Sequence, residues 1–109
     1  MNISSFPFQL ADWSSIPKEV HKGESGTAWW QVQRVNDIRV RIVEYSAGYI
    51  ADHWCSKGHI IYCLEGEMDT ELADGRIMKL EQGMCYFVGD NNEAHRSATA
   101  TGCRLFIVD

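Results

Sequence analysis

Residues 59–88 read HIIYCLEGEMDTELADGRIMKLEQGMCYFV, and this stretch decides the fold class. Short β-branched and aromatic runs (HIIYCL, EMDTELA, RIMKL, CYFV) are separated by Glu65-Gly66, Asp74-Gly75 and Glu81-Gln82-Gly83. An Asp-Gly pair between two such runs is the strongest short-range hairpin signal a sequence can carry. The same pattern extends outward in both directions. Upstream lie TAWWQVQRV, IRVRIVEY and YIADHWC, broken at Asn36-Asp37, Ser46-Ala47-Gly48 and Ser56-Lys57-Gly58; downstream lie AHRSATA and CRLFIVD. In IRVRI, Ile38, Val40 and Ile42 share one face, and Arg39 and Arg41 the other. No segment from Thr27 onward sustains a helical period. About eight or nine short strands with turn signals between them predict an all-β domain, a small antiparallel barrel or jelly roll. Residues 1–26, punctuated by Pro7, Pro17, Gly23 and Gly26, read as irregular. The expectation is one domain over residues 1–109, with the barrel at 27–109.

Composition agrees with a single packed core. The chain has 109 residues, is 45% hydrophobic and carries four each of Trp, Tyr and Phe, which argues against disorder. A formal net charge of −5, without a basic stripe, argues against a nucleic-acid binder. No apolar run approaches the ~20 residues of a membrane span. The stretch MNISSFPFQLADWSS has neither a positive n-region nor a long apolar core, so no secretory leader is expected. These points predict a small soluble cytoplasmic domain. Of the four cysteines, Cys63, Cys85 and Cys103 lie in apolar strand-like runs and read as core residues.

Cys55 differs, because its neighbours are histidines. His53 and Cys55 are two apart in a strand-like run, which would put both side chains on one face. Ser56-Lys57-Gly58 then turns the chain and His59 opens the next run. A tight hairpin would set Cys55 opposite His59; a crossing between two sheets would let both face one interior. His95 follows a polar turn and should stand at a strand start, at a barrel mouth. Imidazole and thiolate are standard ligands for Zn²⁺, Fe²⁺, Ni²⁺ and Cu²⁺, so His53, Cys55, His59 and His95 form a candidate site for one divalent transition metal. His21 receives no role.

The spacing Gly48-x4-His53-x-Cys55-x3-His59-x6-Gly66 resembles the first motif of the cupin superfamily, and Gly83 through Gly89 to His95 resembles the second. The chain looks closest to short bacterial cupins with an Asp-His-Trp-Cys signature, here Asp52, His53, Trp54 and Cys55. The resemblance implies a double-stranded β-helix holding one divalent metal, and a homodimer. Carried over by position, His53 matches the first histidine and His95 that of the second motif. Cys55 stands where a second histidine would be and His59 where a glutamate would be. In the second motif Gly89 replaces a proline, Asn91 replaces a glycine, His95 falls one residue late and a closing asparagine is missing.

A thiolate in place of a carboxylate makes the site softer and turns it from Mn²⁺ toward Zn²⁺, Fe²⁺ or Cu. Four bound ligands would close a tetrahedral zinc, the pattern of structural sites, which suits a non-catalytic module that binds a metal or small ligand as sensor or carrier. Three histidines with Cys55 off the metal would leave positions open for substrate or O₂, as in a dioxygenase-like oxidoreductase acting on a small organic molecule. Tyr49 and Tyr86 are candidates to line the cavity, and Arg96 to grip a carboxylate substrate at its mouth. Tyr62 should face away, and so should Trp54. Of Trp29 and Trp30, one should point inward and the other outward, where it could meet a second copy.

Overall fold

The computed structural model describes residues 3–109. A short 3-10 turn at Trp13–Ser15, capped by the Asp12 side chain on the Ser14 N–H, precedes nine strands among the described residues. They are β1 (Glu19–Lys22), β2 (Thr27–Val35), β3 (Ile38–Tyr45), β4 (Tyr49–Ile50), β5 (His59–Leu72), β6 (Ile77–Glu81), β7 (Cys85–Val88), β8 (His95–Thr99) and β9 (Cys103–Val108). All pairings are antiparallel. One sheet runs β1-β2-β3-β9-β5-β7, and the other runs β4-β8-β5-β6.

The two sheets share β5. Its first half pairs with β7 and β9, and its second half with β6 and β8. The change of sheet follows a bulge between Cys63 and Glu65 and passes through Gly66, at φ +77°. A Cβ at Gly66 would run into the Gly102 carbonyl, so this corner admits glycine alone. What reads in sequence as two strands split at Glu65-Gly66 is therefore one bent strand. The Asp74-Gly75 hairpin forms as expected, as a three-residue loop with Gly75 at positive φ closing back on Leu72.

Two sequence expectations are corrected. Within the stretch read as irregular, Glu19–Lys22 forms β1, although Val20 is exposed and no apolar alternation marks it. The strand is held by its pairing with β2 and by His21, which stacks on Trp30 at 3.8 Å. Cys85 is exposed on the outer face of β7, where alternation sends Tyr86 inward instead. Cys63 and Cys103 are buried, as read.

The core fills the space between the sheets. Val43, Ile61, Cys63, Met68, Leu80, Cys103, Leu105 and Ile107 form its buried cluster, with Trp30, Tyr45 and Tyr86 packed against it. Strand β9 supplies three of these at alternate positions, and fully buried Leu105 sits at the centre. Leu105→Ala should lower unfolding free energy by about 2–5 kcal/mol, measured by urea denaturation. A loss under about 1 kcal/mol would show that this region repacks freely. No helix among the described residues is long and apolar enough to cross a membrane.

Candidate metal centre

Three of the four candidate ligands meet. The donor atoms of Cys55, His59 and His95 all lie within 4.8 Å of one another at one end of the core. His59 is the first residue of β5 and His95 the first of β8. Cys55 belongs to neither: it sits in the connection after β4 and makes an isolated two-bond bridge with His95, Cys55 N–H to the His95 carbonyl at 2.8 Å and the reverse at 2.9 Å. The chain thus crosses between sheets here, and Cys55 reaches His59 through its side chain, Sγ to Nε2 at 3.3 Å.

His53 is not brought into this cluster. Residues 51–54 leave the strand, so the alternation expected to align His53 with Cys55 does not apply. Its imidazole is largely exposed, and its Nδ1 lies 2.5 Å from a carboxylate oxygen of Asp52. That hydrogen bond holds the Asp52 carboxyl below its usual range.

Hydrogen bonding fixes both clustered imidazoles in the same tautomer. His59 Nδ1 lies 2.8 Å from an Asp109 carboxylate oxygen and His95 Nδ1 lies 2.9 Å from the Glu93 carbonyl. Both partners only accept, so each Nδ1 carries the proton and each Nε2 presents a lone pair in the neutral ring. Burial, with a smaller contribution from neighbouring His59, pulls the His95 pKa below its ordinary value against the opposing hydrogen bond to Glu93. His95 Nε2 is buried with no hydrogen-bond partner. Two imidazole lone pairs and one sulfur converging on a point, one of them orphaned, suit a soft divalent cation. The 3.3 Å Sγ–Nε2 separation is close to the roughly 3.5 Å expected between thiolate and imidazole on one tetrahedral zinc.

Asp109 was not singled out from the sequence, although a signal was present. In CRLFIVD the inward residues alternate as Cys103, Leu105 and Ile107, and Asp109 is the next. Continuing the β9 registers places it between His59 on β5 and Arg39 on β3. Its side chain is fully buried, accepting from Arg39 Nε at 2.8 Å and Nη2 at 3.1 Å and from Arg41 Nη2 at 2.7 Å, besides His59. Burial alone would push its pKa up. The bonds from His59 and Arg39 and the charges of Arg41 and Arg39 outweigh this and hold it well below the usual carboxylate range.

The cluster opens onto a cavity of about 290 Å³ between the sheets, at the lower end of small-molecule sites. Tyr49 and Tyr86 both line it, as does Trp30, the inward member of the tryptophan pair. Tyr49 stacks on Tyr45 at 4.1 Å, and burial pushes the Tyr86 phenol well above its usual range. Arg96 also reaches the cavity, but its guanidinium is engaged by Glu24. Tyr62 and Trp54 are exposed outside.

No protein-family model matches this chain. No curated protein matches it either. Solved structures do. A predicted oxalate decarboxylase from Thermotoga maritima aligns with a TM-score of 0.78 at 17% identity, covering 92% of this chain and 96% of that one. The polyketide cyclase RemF from Streptomyces resistomycificus gives 0.75 at 21% identity, covering 94% and 78%. An RmlC-like cupin from Shewanella frigidimarina gives 0.73 at 19%, covering 94% and 89%. The chain has the cupin fold, as its glycine and histidine spacing implied. At these identities the likeness speaks to architecture, and the chemistry has to be argued from the side chains.

Proposed function

We propose that Cys55, His59 and His95 hold one divalent transition metal and that the protein is a metal-dependent enzyme acting on a small organic molecule in the adjoining cavity. The observation that carries this reading is the orphaned, buried His95 Nε2 beside a second imidazole nitrogen and a thiol sulfur. A thiolate with two imidazoles favours Zn²⁺, Fe²⁺ or Cu over Mg²⁺ and Mn²⁺. Three protein ligands leave at least one coordination position free, the pattern of catalytic rather than structural sites. When bound, such a metal supplies Lewis acidity at that open position. The chain's own part is to orient. Asp109 holds the His59 ring, the Glu93 carbonyl holds the His95 ring, and Tyr86 packs edge-on toward His95. Among the solved relatives, the cyclase and the predicted decarboxylase are named for enzymes, which agrees with this reading.

The test is a Co²⁺ titration of metal-stripped protein. Wild type should take up one equivalent with a thiolate-to-cobalt charge-transfer band. Cys55→Ser should lose the band, and His53→Ala should keep both band and stoichiometry. A band weakened by His53→Ala would instead favour a closed site of three histidines and Cys55, and with it a binding module. No uptake by wild type would sink the metal altogether.

A further inference from the structure

The charge of the cavity walls goes beyond what metal binding requires. Arg39, Arg41, Lys57 and Arg96 line the cavity, and no carboxylate does among the described residues. This is unexpected in a chain whose formal net charge is −5. Two of the four cations are accounted for from behind the wall: Arg96 by Glu24, and Arg39 by both oxygens of Asp109. Arg41 is not. It is 5% exposed and shares Asp109 with Arg39 and His59 through Nη2 alone, while its Nε is buried with no partner. Its guanidinium lies 4.5 Å from the Trp30 ring centroid, and that ring is itself stacked with His21. The fork is therefore held rigid in the wall. Buried Arg41 and half-buried Arg39 share this one carboxylate, which leaves a positive charge without its own counter-ion, an arrangement that the burial of Arg41 makes costly unless an anion completes it.

We infer that Arg41 is the anchor for the anionic end of a small organic carboxylate, which occupies the cavity with its body against Tyr49 and Tyr86. The inference deepens the proposed function by naming its substrate class, and rests on that reading for the use of the bound acid. Arg41 Nη2 and His59 Nδ1 donate to the same Asp109 oxygen, so an acid held on Arg41 lies on the wall that carries the donor cluster. The planar fork of a rigid guanidinium and the 290 Å³ space suit a small carboxylate.

The experiment follows the Arg41 Nε–H cross-peak in ¹⁵N NMR of the full chain, assigned by its loss in Arg41→Lys. Probes are acetate, benzoate, benzamide and phenyl phosphate. Benzoate or acetate should shift the peak saturably and benzamide should not, and benzoate binding should weaken at least tenfold in Arg41→Gln. The inference is overturned by the absence of any saturable shift with both acids. It is overturned equally if benzamide or phenyl phosphate matches benzoate, or if affinity is unchanged in Arg41→Gln. Should Arg41→Gln fail to fold by circular dichroism, the acid-against-amide comparison on wild type decides alone. Metal content measured on the same samples separates the two readings. Acid binding by protein that takes up no metal keeps the anchor and removes the metal; metal-loaded protein indifferent to both acids does the reverse.

Discussion

Asp109→Ala should cost the protein about 3–5 kcal/mol of stability, measured by urea denaturation in the presence of a chelator. Its carboxylate is fully buried and is the shared acceptor of Arg39, Arg41 and His59. Removing it leaves two guanidiniums facing each other in the wall without their counter-charge, the situation in which breaking a buried ion pair is most damaging. The chelator matters, because any metal bound only by the folded state would add its own stabilisation and blur the comparison. The same variant should bind Co²⁺ or Zn²⁺ about 10–100-fold more weakly, since the His59 ring loses the partner that fixes its tautomer and angle. A variant within about 1 kcal/mol of wild type would mean that the arginines find water or repack, and that the clamp contributes little.

The second large effect concerns His95→Ala. Zinc in thousandfold excess over its dissociation constant should stabilise wild type by about 4 kcal/mol, through binding to the folded state alone. In His95→Ala this gain should almost vanish, with affinity down at least about a hundredfold, beyond what loss of an orienting group produces. The metal-free variant should remain folded. The Cys55–His95 bridge is made by backbone atoms and survives the substitution, and one buried nitrogen without a partner is removed. Thermal unfolding of both proteins with and without Zn²⁺ gives the answer. An equal zinc-induced rise in Tm would exclude His95 as a ligand.

The strands were legible because their turns are chemically explicit. Asp74-Gly75 and Asn36-Asp37 mark chain reversals by residue type, Gly83 marks the break between β6 and β7, which run on in one direction along β5, and alternation in CRLFIV survives intact. β1 was not legible, because its stability comes from a neighbouring strand and from the His21–Trp30 stack rather than from its own pattern. The donor cluster was partly legible. His59 and His95 begin strands as their turns suggested, but the strand rule extended to His53 a register that the chain abandons after Ile50. The arginines carry the clearest lesson. On alternation alone, Arg39 and Arg41 look like the solvent face of β3, yet that face carries buried Val43 and half-buried Tyr45 and lines the cavity. A polar interior beside a site inverts the usual hydrophobic pattern, and only pairing with β9, which brings Asp109, makes the inversion physically tolerable.

The position of β9 has a consequence for how the protein comes into being. Cys55, His59 and His95 all precede it in the chain, whereas the carboxylate that orients His59 follows its last residue. During synthesis the soft donors exist before their organiser does. A chain still lacking β9 offers any cation a loose thiol and mobile imidazoles, free to pair in whatever geometry that cation prefers. Insertion of β9 between β3 and β5 then imposes one tautomer and one spacing at a stroke. For the metal site proposed above, discrimination among ions would thus be a late event, coupled to completion of the sheet.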